Sequence, residues 1–329
     1  MRRRTSVESA ASLRPHDHSV WFGDGQTDLY AMASDAFAEG VRRGEKLIFV
    51  ATEPDASRLL GIDVERRLED RQLEVADVRD VYGGTDFSAG AQLATFQHVL
   101  ADALADGYSG IRVVADNTSL AQGDEASFER WLAWEQLTDH FQAESMVTGI
   151  CFFDRGALSS QRMSDLAALH PMWPQANAAA PPFALFADRD SVLLVGSIGA
   201  GASAQLRRLL ATVEFGLKPS LDLSAVHPLD DSALLVLGEL ASAERPLTLV
   251  GNDHLRRRLA SLGPLAAHLS VRRPHGPAFR CSRCGDVIGV YETAAILTSR
   301  ETRRTSTLAE PEAVADAVAR FHSECLVEA

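Results

Sequence analysis

The stretch "IRVVADNTSL", Ile111 to Leu120, decides the fold of the larger part of this chain. It begins as a nearly continuous β-branched and apolar run, then stops at an aspartate followed by turn and cap formers. A strand with one wet face alternates apolar and polar residues, whereas a strand covered on both faces reads as an unbroken apolar run. "KLIFVAT" (46–52) and "MVTGICFFD" (146–154) read the same way. Among these runs lie "DLYAMASDAFAEGVRRG" (28–44), "LATFQHVLADALADGY" (93–108) and "WLAWEQLTDHFQ" (131–142), all with helical spacing. Strands alternating with helices predict an α/β domain built on a largely parallel sheet.

The chain has 329 residues, of which 46% are hydrophobic and 23% charged, so it can bury a core, and two or three domains are expected. No apolar run approaches the roughly 20 residues of a membrane span, and the basic start of the chain is not followed by an apolar segment. A soluble cytoplasmic protein with no membrane partner is the expectation. The net charge of -13 opposes direct nucleic-acid binding, which needs clustered Lys and Arg. Lys46 and Lys218 are the only lysines, which removes most candidates for a Schiff-base amine or a phosphate-loop lysine. Three of the four cysteines crowd into the last fifth of the sequence, a pattern closer to metal ligation than to a disulfide framework.

Residues 1–14 are polar and without period, and read as a disordered tail. The first domain runs over 15–173. "PMWPQANAAAPP" (171–182) breaks every period, and 174–181 is taken as a linker. From 182 to 272 a smaller α/β domain is expected. It opens with a hairpin, "FALFADRDSVLLVGSIG" (183–199), turning at Asp188 to Asp190. The helix "ASAQLRRLLATVEFG" (202–216), the strand "SLDLSAV" (220–226), a helix from Ser232 to about Ala243, the strand "LTLVG" (247–251) and the helix "HLRRRLASLG" (254–263) follow. "PHGP" (274–277) marks another break, and a cysteine-bearing module occupies 277–329.

Within "VHPLDDSALLVLGEL" (226–240) a helix begins at two aspartates and a serine. Capping alone accounts for Asp230, Asp231 and Ser232, since their oxygens accept from the free N–H groups of the first turn and complement the helix dipole. The order of elements adds a second reading. With Gly196 after the preceding strand, "LDLS" (221–224) before a short loop and Asp-x-Ser opening an apolar helix, the domain resembles the STAS domain of anti-sigma-factor antagonists. The resemblance implies a phosphoacceptor at Ser232, with Asp230 beside it, and a partner that is both anti-sigma factor and serine kinase of the GHKL type. Asp231 and Ala233 depart from that family's Ser and Gly, and the fixed charge of Asp231 opposes a second anion at Ser232. "GSIGAGAS" (196–203) has phosphate-loop spacing, but Ala202 stands where the lysine must be, so it reads as a strand-to-helix turn.

"HSVWFGDGQTDLYAMASDAFAEGVRRGEKLIFVAT" (18–52), followed by "IRVVADNTSL", "WEQL" (134–137), "CFFD" (151–154) and "HP" (170–171), resembles the MEDS sensory domain. That family is regarded as a degenerate relative of the RecA and KaiC ATPase fold. The resemblance implies that Asp116 closes a central strand, where open parallel sheets gather ligands. His18, Asp116, Glu135, Asp154 and His170 would line one small-molecule pocket, although each alone reads equally as a cap or a buried hydrogen-bonding group. "FGDGQTDLY" (22–30) carries no lysine, so ATP hydrolysis is not expected. No G-x-S-x-G surrounds any serine. The expectation is a non-enzymatic signalling regulator; the alternative is a nucleotide- or small-ligand-binding protein whose STAS-like domain is a constitutive scaffold.

"CSRCG" (281–285) and "HSEC" (322–325) supply Cys281, Cys284, His322 and Cys325, with His322 and Cys325 expected on one helical face. A hairpin within 287–308 and a helix from Pro311 separate the pairs, and the whole resembles a treble-clef or LIM-like zinc site. Structural zinc is the leading reading; an unliganded subdomain and a redox dithiol stay open. Cys151, inside "GICFF", reads as a core residue.

Overall fold

The computed structural model describes residues 4–83, 88–175, 181–188, 191–213, 220–251, 253–272, 279–283, 287–288, 293–299, 301–306, 309–323 and 325–326. The chain divides into two compact units, residues 4–189 with 212–214, and residues 190–211 with 215–329 and 1–3.

The first unit contains β1 (Thr5–Val7), β2 (His18–Gly23), α1 (Gly25–Arg43), β3 (Lys46–Ala51), α2 (Val64–Glu69), β4 (Leu73–Asp77), α3 (Val78–Tyr82) and α4 (Ala89–Ala105). It continues with β5 (Ile111–Asp116), α5 (Thr118–Ala121), α6 (Glu125–Glu144), β6 (Val147–Asp154), α7 (Ser160–Leu169), β7 (Met172–Pro174) and β8 (Phe183–Asp188). Seven strands form one sheet in the order β1-β7-β2-β6-β5-β3-β4, and every described pairing in it is parallel. All six residues of β3 and all six of β5 are buried, as unbroken apolar runs require. The α/β expectation for this region therefore holds.

Helix α1 buries Leu29, Tyr30, Met32, Ala33, Ala36, Phe37 and Gly40, a stripe of helical period facing the sheet. It ends where Gly44 adopts the left-handed conformation (φ 69°) and its N–H returns to the carbonyls of Gly40 and Val41.

Residues 1–14 were expected as a disordered tail; for residues 4–14 the structure corrects this, and residues 1–3 lie outside the described residues. Thr5–Val7 is the edge strand beside β7, and Ala10 and Leu13 are buried. Val7, Ala10 and Leu13 recur every third residue, a period too short-lived to register in the sequence. The segment is also tied by a buried ion pair: Arg112 Nε lies 2.6 Å from Glu45 Oε2, and Arg112 Nη2 donates to the Leu13 carbonyl at 3.1 Å. Of the expected linker, Pro174 ends β7 and residues 176–180 lie outside the described residues.

The second unit contains β9 (Ser191–Ile198), α8 (Ser203–Ala211), β10 (Ser220–Leu229), α9 (Asp231–Leu240), β11 (Leu247–Val250), α10 (Asp253–Ser261) and β12 (Leu269–Arg272). These four strands lie in the order β12-β11-β10-β9, all parallel, with a helix on each crossover. The turn expected at 188–190 falls largely outside the described residues. Short strands follow, β13 (Phe279–Arg280) with β14 (Val287–Ile288), and β15 (Ala294–Leu297) with β16 (Thr302–Thr305), then α11 (Pro311–Ala315) and β17 (Ala319–His322). The H-x-x-C pair is thus not helical: His322 ends β17, which pairs with β15, and Cys325 follows in a turn whose N–H returns to the His322 carbonyl. Among the described residues no helix is long and apolar enough to cross a membrane.

All four tryptophans fall in the first unit, so their fluorescence reports its unfolding. Glu45→Ala leaves Arg112 buried without its counter-charge and is expected to lower that transition's free energy by about 3–5 kcal/mol. A urea titration that moves by less than about 1 kcal/mol would contradict the role given to this pair.

Candidate functional site

Helix α6 turns a continuous face to the sheet, burying Phe128, Trp131, Leu132, Trp134, Glu135, Thr138, Asp139 and Gln142. Glu135 and Asp139 are one turn apart, so both carboxylates are carried into the core by the same face that carries the aromatics. On the sheet below, His18 of β2 sits in register with Gly149 of β6, and Val20 with Cys151. Side chains alternate along a strand, so His18 and Cys151 project to the same face. Gly149 lets the helix approach: a Cβ there would lie 2.3 Å from Gln142 Oε1. His170, immediately after α7, completes the group.

The resulting cluster is fully enclosed. His18, Glu135 and His170 have no exposed surface, and Cys151 is buried. His18 Nδ1 donates to Asp139 Oδ1 at 3.0 Å, and His170 Nδ1 donates to the Leu166 carbonyl at 2.7 Å. With both Nδ1 atoms committed, both Nε2 atoms face Glu135 Oε2, at 3.5 Å from His18 and 3.4 Å from His170. Cys151 Sγ lies 3.4 Å from His18 Nε2 and 3.7 Å from Glu135 Oε2. The second oxygen of Asp139 accepts the Ala187 N–H at 2.7 Å, tying β8 to the cluster. Glu135 Oε1 has no hydrogen bond.

Burial alone would lower the His18 imidazole, but its hydrogen bonds and charge interactions with Asp139 and Glu135 outweigh this and hold it above its ordinary value. Burial, with the charge of His18, pushes His170 down, against the pull of Glu135 and of the Leu166 carbonyl. Burial would raise Glu135; the adjacent imidazoles of His170 and His18 overcome that and keep it ionised. The Cys151 thiol is pushed well up by burial and by Glu135. Asp139, His18 and Cys151 are spaced like the orienter, base and nucleophile of a hydrolase. The group is closed to solvent, and burial with the neighbouring Glu135 carboxylate disfavours the thiolate of Cys151.

Beside Cys151 a cavity of about 30 Å³, room for one water, is lined by Tyr82, Phe96, Asn117, Trp134 and Gln142 among others. Its aromatic wall is interlocked, with the Trp134 ring 5.9 Å from that of Phe96 and 6.1 Å from that of Tyr82.

The five residues expected to share a pocket separate into two groups. His18, Glu135 and His170 meet in the cluster. Asp116 and Asp154, at the ends of β5 and β6, meet instead around Thr118: Asp116 Oδ1 accepts the Thr118 hydroxyl at 2.6 Å, and Thr118 Oγ1 accepts the Asp154 N–H at 2.9 Å. Burial and the charge of Asp154 raise Asp116. Asp139 and Cys151 were missed as site residues. The i, i+4 spacing of Glu135 and Asp139 in a helix otherwise rich in Trp and Phe was the available signal for the first, and the register of β6 against His18, which gives the second, needs the sheet order.

In the second unit Asp230 caps α9. Its Oδ1 accepts the Ser232 N–H at 2.8 Å and the Ser232 hydroxyl at 2.7 Å. Those two bonds, with Arg258 nearby, hold the Asp230 carboxyl below its ordinary value. Arg258 pairs with Asp231 and donates to the Leu229 carbonyl. Ile198, Gly199, Leu229, Asp230, Asp231, His254 and Arg258 surround an open cleft of about 360 Å³. Further along, Cys281 and His322 are buried, and with Cys325 their ligand atoms lie within 4.8 Å of one another, a group able to hold a metal ion. Cys284 lies outside the described residues.

Asp139→Ala removes the counter-charge of a buried imidazole and the acceptor of Ala187. It is expected to cost the first unit about 3–5 kcal/mol, measured by tryptophan-monitored denaturation. An unfolding curve that superposes on the wild type would remove Asp139 from the cluster's support.

No curated protein matches the chain. Residues 17–171, which span β2 to the residue before β7 and include every member of the buried cluster, match the family model of MEDS, the MEthanogen/methylotroph, DcmR Sensory domain.

Proposed function

We propose that the chain is a non-enzymatic, cytoplasmic signalling regulator. Its MEDS domain senses a small molecule or a partner, and its second unit acts as a STAS-like antagonist that binds an anti-sigma factor doubling as a GHKL-type serine kinase. A sensory role is carried by the family match of residues 17–171. The observation that supports the output side is the start of α9, where a capped serine opens an apolar helix directly after a parallel strand.

The first helix of the MEDS domain argues against nucleotide hydrolysis. Its N-terminus, where a phosphate would sit, is occupied by carboxylates: the Asp24 N–H donates to Asp28 Oδ2 at 2.8 Å, and Asp24 pairs with Arg155 at 3.2 Å. At α9 the chemistry suits a switch. Phosphorylation of Ser232 would place about two further negative charges against Asp230 and Asp231, and among the described residues of the cleft Arg258, with His254, is placed to answer them. Arg258 would then leave Asp231 for the phosphate. Cys281, Cys284, His322 and Cys325 are proposed as a structural zinc set, which with four protein ligands leaves no open position for catalysis.

Two outcomes are expected. Recovered from its host, the wild-type protein should retain a GHKL-type kinase that Ser232→Glu releases; retention by both forms, or by neither, would leave no partner switch. In an NMR titration the Asp230 carboxyl should show its midpoint below the ordinary aspartate value of about 3.9, and Ser232→Ala should move it up. The sign is that of a depressed acid: the cap's contribution is present above the ordinary range and lost as pH falls through the lowered midpoint. A midpoint indifferent to Ser232→Ala would mean that the hydroxyl does not rest on Asp230.

A further inference from the structure

We propose that His18, Glu135, Cys151 and His170 bind one divalent transition-metal ion of the zinc class in the core of the MEDS domain. The proposal stands whether or not the second unit switches partners.

Four ligand atoms of the right kind converge. His18 Nε2, His170 Nε2, Glu135 Oε2 and Cys151 Sγ all lie within 4.8 Å of one another. The measured separations are 3.4, 3.5, 3.4 and 3.7 Å. Zinc bonds to nitrogen and oxygen of about 2.0–2.2 Å and to sulfur of about 2.3 Å give tetrahedral edges of about 3.3–3.7 Å. Four of the six edges therefore match those of a metal tetrahedron, and the other two are within 4.8 Å.

The surroundings are those of a ligand set as well. Each imidazole has its Nδ1 fixed by an outer acceptor, Asp139 for His18 and the Leu166 carbonyl for His170, which leaves Nε2 as the coordinating atom. His170 Nε2 makes no hydrogen bond, and it faces a carboxylate oxygen that is also an acceptor. A dication placed among these four atoms would take a lone pair from each of them in a core closed to solvent. On binding, the Cys151 thiol releases its proton and each imidazole releases any proton it carries on Nε2, so that thiolate and Glu135 carboxylate together neutralise the ion, while Asp139 keeps its hydrogen bond from His18 Nδ1. One thiolate, two imidazoles and one carboxylate form a borderline set suited to zinc, cobalt and iron(II), and unsuited to magnesium or calcium.

The site joins four elements, β2, α6, β6 and the end of α7. Because it is closed to solvent, the ion has to enter as the domain folds or opens, and it should resist removal by chelators from the folded protein.

The test uses the full chain carrying Cys281→Ser and Cys325→Ser, which disables the other cysteine cluster, produced in cobalt-supplemented medium so that metal is present during folding. One cobalt per chain is expected, with intense tetrahedral absorption bands, a thiolate-to-cobalt charge-transfer band, and an X-ray absorption spectrum of one sulfur and three nitrogen or oxygen neighbours. Adding Cys151→Ser should abolish the charge-transfer band. Because the X-ray spectrum is taken with the core unaltered, the test survives a Cys151→Ser protein that fails to fold. Less than about a tenth of an equivalent of metal, a metal shell without sulfur, or a charge-transfer band unchanged by Cys151→Ser would overturn the proposal.

Discussion

A carboxylate buried between two imidazoles is the constraint on which the first unit turns. Glu135 has no exposed surface, and neither do His18 and His170, the two bases it faces. Desolvating such a group costs several kcal/mol unless partners repay it, and a well-packed apolar trio in the same space would be cheaper. The surrounding architecture serves the arrangement: Gly149 opens room for α6, Asp139 pins His18, the Leu166 carbonyl pins His170, and β8 donates to Asp139. Polar groups kept in a core at this cost, with their orientations fixed from outside, belong to function more readily than to stability.

The two units use one helix-terminus chemistry for different ends. In the first unit, α1 begins between two carboxylates: the Asp24 N–H donates to Asp28 Oδ2, and the Asp24 carboxylate pairs with Arg155. In the second unit, α9 begins with Asp230, which holds the hydroxyl of Ser232 at the edge of a cleft that also contains Arg258. The first terminus carries two carboxylates; the second presents a serine beside a cation.

What the sequence revealed follows from the range of the interactions involved. The apolar runs of β3, β5 and β6 announced a doubly covered parallel sheet because burial on both faces is written into consecutive residues. His18, Glu135 and His170 were legible as members of one site through the order of motifs. Cys151 was read only as core, since its place beside His18 comes from which strands are neighbours, a property of sheet order and not of local sequence. Asp116 and Asp154 looked like pocket residues and are instead joined through Thr118, because a short aspartate at a strand end finds the nearest N–H and hydroxyl. The first fourteen residues looked featureless because Val7, Ala10 and Leu13 are too few to establish a period. The H-x-x-C spacing suggested a helix, yet His322 pairs in a strand, since three-residue spacing also fits a turn.

The cluster acts as one tie between β2, α6, β6 and the end of α7. Hydrogen–deuterium exchange of the chain folded with zinc, compared with the chain folded in chelator, tests this most directly. Slower exchange in 18–23, 131–142, 147–154 and 163–170, with β3 and β4 unchanged, is the predicted result. Exchange that is identical in the two preparations, or altered only around 281–325, would contradict it.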